Sequence, residues 1–93
     1  MNTSVYIVEE SYYKQDDKFS WSEYTHGIVF VHKNLEDALN VLRNIYKEAT
    51  QNSNNFDVYL DEEAYNPYVI YRWMNGENKQ YERVVQIITR DLT

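Results

Sequence analysis

The side chains with the clearest capacity for acid, base or nucleophilic chemistry are two histidines, five serines and fifteen carboxylates; cysteine is absent. His26 and His32 lie six residues apart, which on one strand separates them by roughly 20 Å, far beyond the reach of a shared metal ion. The serines (Ser4, Ser11, Ser20, Ser22, Ser53) sit in no nucleophile elbow, and no sequence sign pairs either histidine with a nucleophile. The carboxylates fall into Glu9-Glu10, Asp16-Asp17 and the run Asp57, Asp61, Glu62, Glu63, none with the spacing and central glycine of a calcium loop. Two glycines leave little material for a phosphate-cradling loop, and no dinucleotide or P-loop fingerprint occurs. The expectation is a chain that is not an enzyme and has no cofactor and no metal.

What remains distinctive is acidity and aromatic content. The formal charge is −6, divided as −7 over residues 1–63 and +1 over residues 64–93. Nucleic-acid binding draws its affinity from lysine and arginine neutralising phosphates, so direct nucleic-acid binding is disfavoured. An acidic surface steers toward basic proteins instead, including those that themselves bind nucleic acid. Ten tyrosines, three phenylalanines and two tryptophans accompany the acids. The segment from Phe19 through Trp21 to Tyr24 puts three rings in polar surroundings just after Asp16-Asp17, which suits either a core or large anchors for a partner. The base-free acidic run reads either as a solvated face or as a patch for a basic partner. The expected partner-binding set is Asp16, Asp17, Phe19, Trp21, Tyr24, Asp57, Asp61, Glu62, Glu63 and Tyr65.

The elements that must hold these residues follow from periodicity. Val5 to Tyr13 is β-branched and aromatic and reads as a strand; Gly27 to His32 reads as a second, with residues 14–24 either continuing it through a bulge or forming an open loop. Asn34 is a good helix N-cap, Glu36 and Asp37 favour the positive helix start, and Leu35, Ala38, Leu39, Leu42, Ile45, Tyr46 and Ala49 repeat at helical spacing. That predicts a helix over 35–50, ended by the all-polar stretch 50–55. Phe56, Val58 and Leu60 alternate with polar residues, which fits an edge strand or a tethered loop equally. Tyr68 to Met74 and Tyr81 to Arg90 read as strands joined through Asn75-Gly76. The whole is expected to be one α+β domain over 1–93, an antiparallel sheet of about four strands with one amphipathic helix on one face, ordered β-β-α-(β)-β-β.

One such helix covers one face of the sheet, and fifteen rings are too many to lie beneath it. Either a partner meets the surplus or a second copy buries it, so a homodimeric accessory domain with interfacial aromatics is the alternative expectation. No apolar run approaches membrane-spanning length and the opening Met1-Asn2-Thr3-Ser4 lacks a signal-peptide plan, so a cytoplasmic location is expected.

From Gly27-Ile28-Val29-Phe30-Val31-His32 into Asn34-Leu35-Glu36-Asp37-Ala38, preceded by Val5-Tyr6-Ile7-Val8, the chain resembles a group of small uncharacterised phage and bacterial proteins of β-β-α-β-β order. In size, acidity and aromatic richness it is also similar to phage-encoded inhibitors of host defence of the anti-CRISPR type. That resemblance implies a binder, and an inhibitor, of a basic host protein.

Overall fold

A computed structural model describes residues 3–16, 20–77 and 79–92. Five strands and one helix follow one another as β1 (Ser4–Gln15), β2 (Trp21–His32), α1 (Leu35–Gln51), β3 (Asn55–Asp61), β4 (Tyr68–Met74) and β5 (Gln80–Asp91). The strands form one antiparallel sheet in the order β2-β1-β5-β4-β3. The α+β class with a single helix on an antiparallel sheet agrees with the sequence reading, while the strand count is five and not about four. The difference is residues 55–61, whose alternation suited a loop as well as a strand. Pairing settles it: Leu60 lies opposite Val69 and Val58 opposite Tyr71, so the apolar half of β3 completes the core face at the sheet edge.

Helix α1 begins where its chemistry requires. Asn34 holds an extended backbone and its side-chain oxygen accepts a hydrogen bond from the Glu36 amide at 2.8 Å, satisfying one of the orphan donors of the first turn. Ala38 and Leu42 then meet Val8 of β1, Val69 of β4 and both Val85 and Ile87 of β5 in a fully buried cluster. Val41 joins Leu39 and Ile45 around this cluster, whereas Leu35 and Tyr46 of the expected apolar stripe remain exposed. The core is aliphatic throughout: no described aromatic side chain is buried.

Strand β2 is continuous with residues 21–26, and two irregularities in its pairing with β1 reset its faces. One lies between the pairs Val8–Phe30 and Glu9–Ile28, the other between Tyr12–Thr25 and Tyr13–Glu23, so that Val29 and Tyr24 are the extra residues. Val29 thereby packs against the core. The β4–β5 connection is longer than a two-residue Asn-Gly turn. Met74 pairs with Gln80, and the Asn75 side-chain oxygen accepts from the amides of Glu77 and Lys79 to close a five-residue loop. Among the described residues no helix is long and apolar enough to cross a membrane.

Leu42 fills the centre of the cluster with no exposed surface. Leu42→Ala is expected to cost about 2–5 kcal/mol, because the cavity can collapse only partly between a helix and a paired sheet. Urea unfolding of the two proteins measures it, and Leu35→Ala at the exposed end of the same helix is expected to fall below 1 kcal/mol or so.

Candidate functional site: an aromatic basin beyond the helix

Helix α1 has seventeen residues and spans about 25 Å, whereas the twelve residues of β1, β2 and β5 run about 40 Å. Part of the sheet face that carries the core must therefore lie beyond the helix. The register shows what fills it. In one cross-strand row Tyr12 of β1, Arg83 of β5 and Tyr71 of β4 stand side by side; in the next, Lys14, Tyr81 and Trp73 do so. Tyr24, the bulged residue of β2, leans over both rows, with its ring 5.8 Å from that of Tyr12 and 6.2 Å from that of Tyr81.

The rings form one connected set. Trp73 stacks on Tyr81 at 5.6 Å and 14°, touches Tyr71 at 5.6 Å, and stands edge-on to Tyr12 at 6.3 Å and 82°. Such pairs contribute about 0.5–1.5 kcal/mol each beyond the area they bury. Arg83 lies among them, its guanidinium carbon 5.6 Å from the Tyr12 ring centre and 5.9 Å from that of Tyr71. Its Nε and Nη2 both donate to Glu10 Oε2, at 3.0 and 2.6 Å, and Nη1 donates to the Tyr71 hydroxyl at 3.3 Å. The charge of the central cation is thus matched from within the fold.

The helix end makes the wall. Asn52 stops α1, its amide bonded to the Ala49 carbonyl, and its side-chain oxygen accepts from the Asn54 amide. Asn55, first residue of β3, donates from its side chain to the same Ala49 carbonyl at 3.0 Å. The polar stretch after the helix is therefore a folded cap, and it borders two adjoining hollows that share Asn52, Asn55 and Tyr71. One, of about 180 Å³, runs under the last helical turn past Glu48 and Arg83. The other, of about 360 Å³, opens over Tyr12 and Trp73. No basic residue occupies the last turn of α1, so the negative pole of the helix faces the basin uncompensated by its own side chains.

Comparison of the chain with protein-family models, curated proteins and solved structures found no match.

The structure distributes the residues expected from sequence over several surfaces. Tyr24 belongs to the basin. Trp21 lies on the opposite face of the sheet, under the guanidinium of Arg72 at 5.7 Å. Asp16 is exposed at the end of β1 and accepts a hydrogen bond from Ser22; Asp17 and Phe19 lie outside the described residues. The acidic run is not one patch. Asp57 pairs with Arg72 at 3.0 Å, Glu62 pairs with Arg43 at 2.6 Å, and Asp61 accepts from the amides of Glu63 and Ala64 to hold a turn. Glu63 is exposed and Tyr65 is 98 % exposed. Among the described residues no cluster of three possible metal ligands occurs. His26 is hydrogen-bonded to Ser11 at 2.7 Å, with Glu9 and Glu23 each at 3.8 Å.

Tyr12, Tyr71, Trp73, Tyr81 and the Glu10–Arg83 pair escaped the sequence reading. Their signal is alternation: Glu10 and Tyr12, Tyr71 and Trp73, Tyr81 and Arg83 are each two apart and hence on one face of their strands.

Burial raises the pKa of the Tyr12 hydroxyl above the usual tyrosine value, against an opposing pull from Arg83, and raises that of Tyr24 as well. A folded-state value above the unfolded one gives stability that is complete below pH 10 and lost as pH climbs through the folded value. Phenolate absorbance is therefore expected to show a late-titrating subset above pH 10, and Tyr12→Phe with Tyr24→Phe is expected to remove it. Separately, Glu10→Gln strips Arg83 of its counter-charge where both side chains are mostly buried. A loss of about 1–3 kcal/mol in urea unfolding is expected, against less than about 1 for Glu63→Gln.

Proposed function

We propose that this chain is a non-enzymatic protein-binding domain that captures a basic segment of a partner protein on the aromatic basin. The observation that carries the reading is the basin itself: five rings in one connected set beyond the end of α1, with Tyr24 52 % exposed, on a chain of charge −6. Large amphipathic rings at an open hollow are the residue types that supply binding energy at protein interfaces. The chain's arginines favour a basic partner over a nucleic acid. Arg43 is held by Glu36 and Glu62, Arg72 by Asp57 and Glu82, and Arg83 by Glu10, so three of the four spend their charge on carboxylates of their own fold. Phosphate recognition needs such cations free and clustered. In the same reading the partner is a nucleic-acid-binding host protein and the chain, of phage or mobile-element origin, inhibits it by covering a basic surface.

A photo-crosslinking residue placed at Tyr24, in cells of the native host, tests this. The expected product is an adduct with a protein of net positive charge, absent when the same residue replaces Val31 on the opposite face. Adducts only between copies of the chain would favour the homodimeric accessory domain, and adducts only from the Val31 position would remove the basin from the account.

A further inference from the structure

Resting on the reading above, we infer that the basin receives an arginine side chain of the partner, its guanidinium laid on Trp73 and its N–H groups directed at Glu48 and the carbonyl end of α1. The fold already contains this recognition once. Arg83 sits between Tyr12 and Tyr71 with a carboxylate on two of its nitrogens, which shows that these rings and this spacing suit a planar cation.

The charge of the neighbouring space calls for a second one. Along the hollow under the last helical turn the charged side chains are Glu48 and Arg83. Glu10 cancels Arg83, leaving the Glu48 carboxylate and the negative helix pole without a cation among the described residues. Lys14, the remaining cation of the ring rows, stands in the outer row beside Tyr81, while the hollows open beside Asn52 and Asn55. An anion entering here would meet Glu48 and a guanidinium already matched by the Glu10 carboxylate. A guanidinium gains twice, from the faces of the rings and from the Glu48 carboxylate in the field of the helix end. Lysine would gain less, since a strongly hydrated ammonium stacks poorly and donates from a single point.

Trp21→Phe leaves Trp73 as the only tryptophan of the chain, so its emission reports the basin alone. Six-residue peptides carrying two arginines, two lysines or two glutamates are the probes. The arginine peptide is expected to shift Trp73 emission and bind roughly tenfold more tightly than the lysine peptide, with no binding by the glutamate peptide. Glu48→Gln, at the rim of the hollow, is expected to weaken the arginine peptide several-fold with unchanged far-ultraviolet circular dichroism, and Glu63→Gln to leave it unaltered. Equal arginine and lysine affinities with unmoved Trp73 emission would overturn the inference and reduce the attraction to general surface charge, leaving the protein-binding reading intact. Absence of peptide binding would overturn it as well. So would a shift produced by an oligothymidine in place of the peptides, which would mark the rings as a base-stacking surface and remove the protein-binding reading too.

Discussion

Helix α1, of seventeen residues, laid on a sheet whose three long strands have twelve leaves sheet uncovered, and that mismatch of length governs the rest of the molecule. Where α1 covers the sheet, the facing side chains are aliphatic and completely buried: Val8, Val69, Val85 and Ile87 beneath Ala38 and Leu42. Where it stops, aliphatic side chains would stand in water, and the same strand positions change character to Tyr12, Tyr71, Trp73, Tyr81 and Arg83. Tyrosine tolerates this border because its ring packs on neighbours while its hydroxyl stays wet. The basin is thus the continuation of the core face into solvent, made from residues that can live on both sides of the boundary.

The same boundary shapes the electrostatics. A guanidinium between rings on a half-covered sheet needs a counter-charge, and Glu10, on the next strand and one row closer to the core, provides it. Arg43 and Arg72 are likewise held by two carboxylates each. Acidic residues outnumber basic ones, so pairing consumes most of the arginine charge and leaves a negative surplus on the surface. In the proposed function, a surface of that kind would raise the rate of encounter with a basic protein, and the rings would supply short-range contacts once encounter has occurred.

Much of this was legible in the residues. Asn34 with Glu36 and Asp37 announces the helix start, and the polar stretch from Thr50 to Asn55 announces its end, because both act through local side-chain bonds to nearby backbone. Strand β4 was legible for the same reason, bounded by Pro67 and Asn75. Register was not. Strands from Tyr68 to Met74 and from Tyr81 to Arg90 joined through Asn75-Gly76 leave the pairing open, and the bonds from the Glu77 and Lys79 amides to the Asn75 side chain accompany the register that sets Trp73 against Tyr81. The bulge at Tyr24 is equally hidden, since it depends on pairing with β1. The basin is assembled by register across four strands, so it stayed out of reach. The acidic run misled in the opposite sense: alternation along β3 and the turn after it send neighbouring acids to Arg72, to Arg43 and into a backbone cap.

The account rests on the basin rings being open to water in an isolated copy of the chain. Relaxation enhancement of side-chain proton resonances by a soluble, uncharged paramagnetic probe measures this directly at concentrations where the chain is a single copy. Strong enhancement is predicted at Tyr24, intermediate enhancement at Tyr12, Tyr71, Trp73 and Tyr81, and little at Val8, Leu42 and Val85. Protection of the five rings equal to that of Leu42 would contradict it.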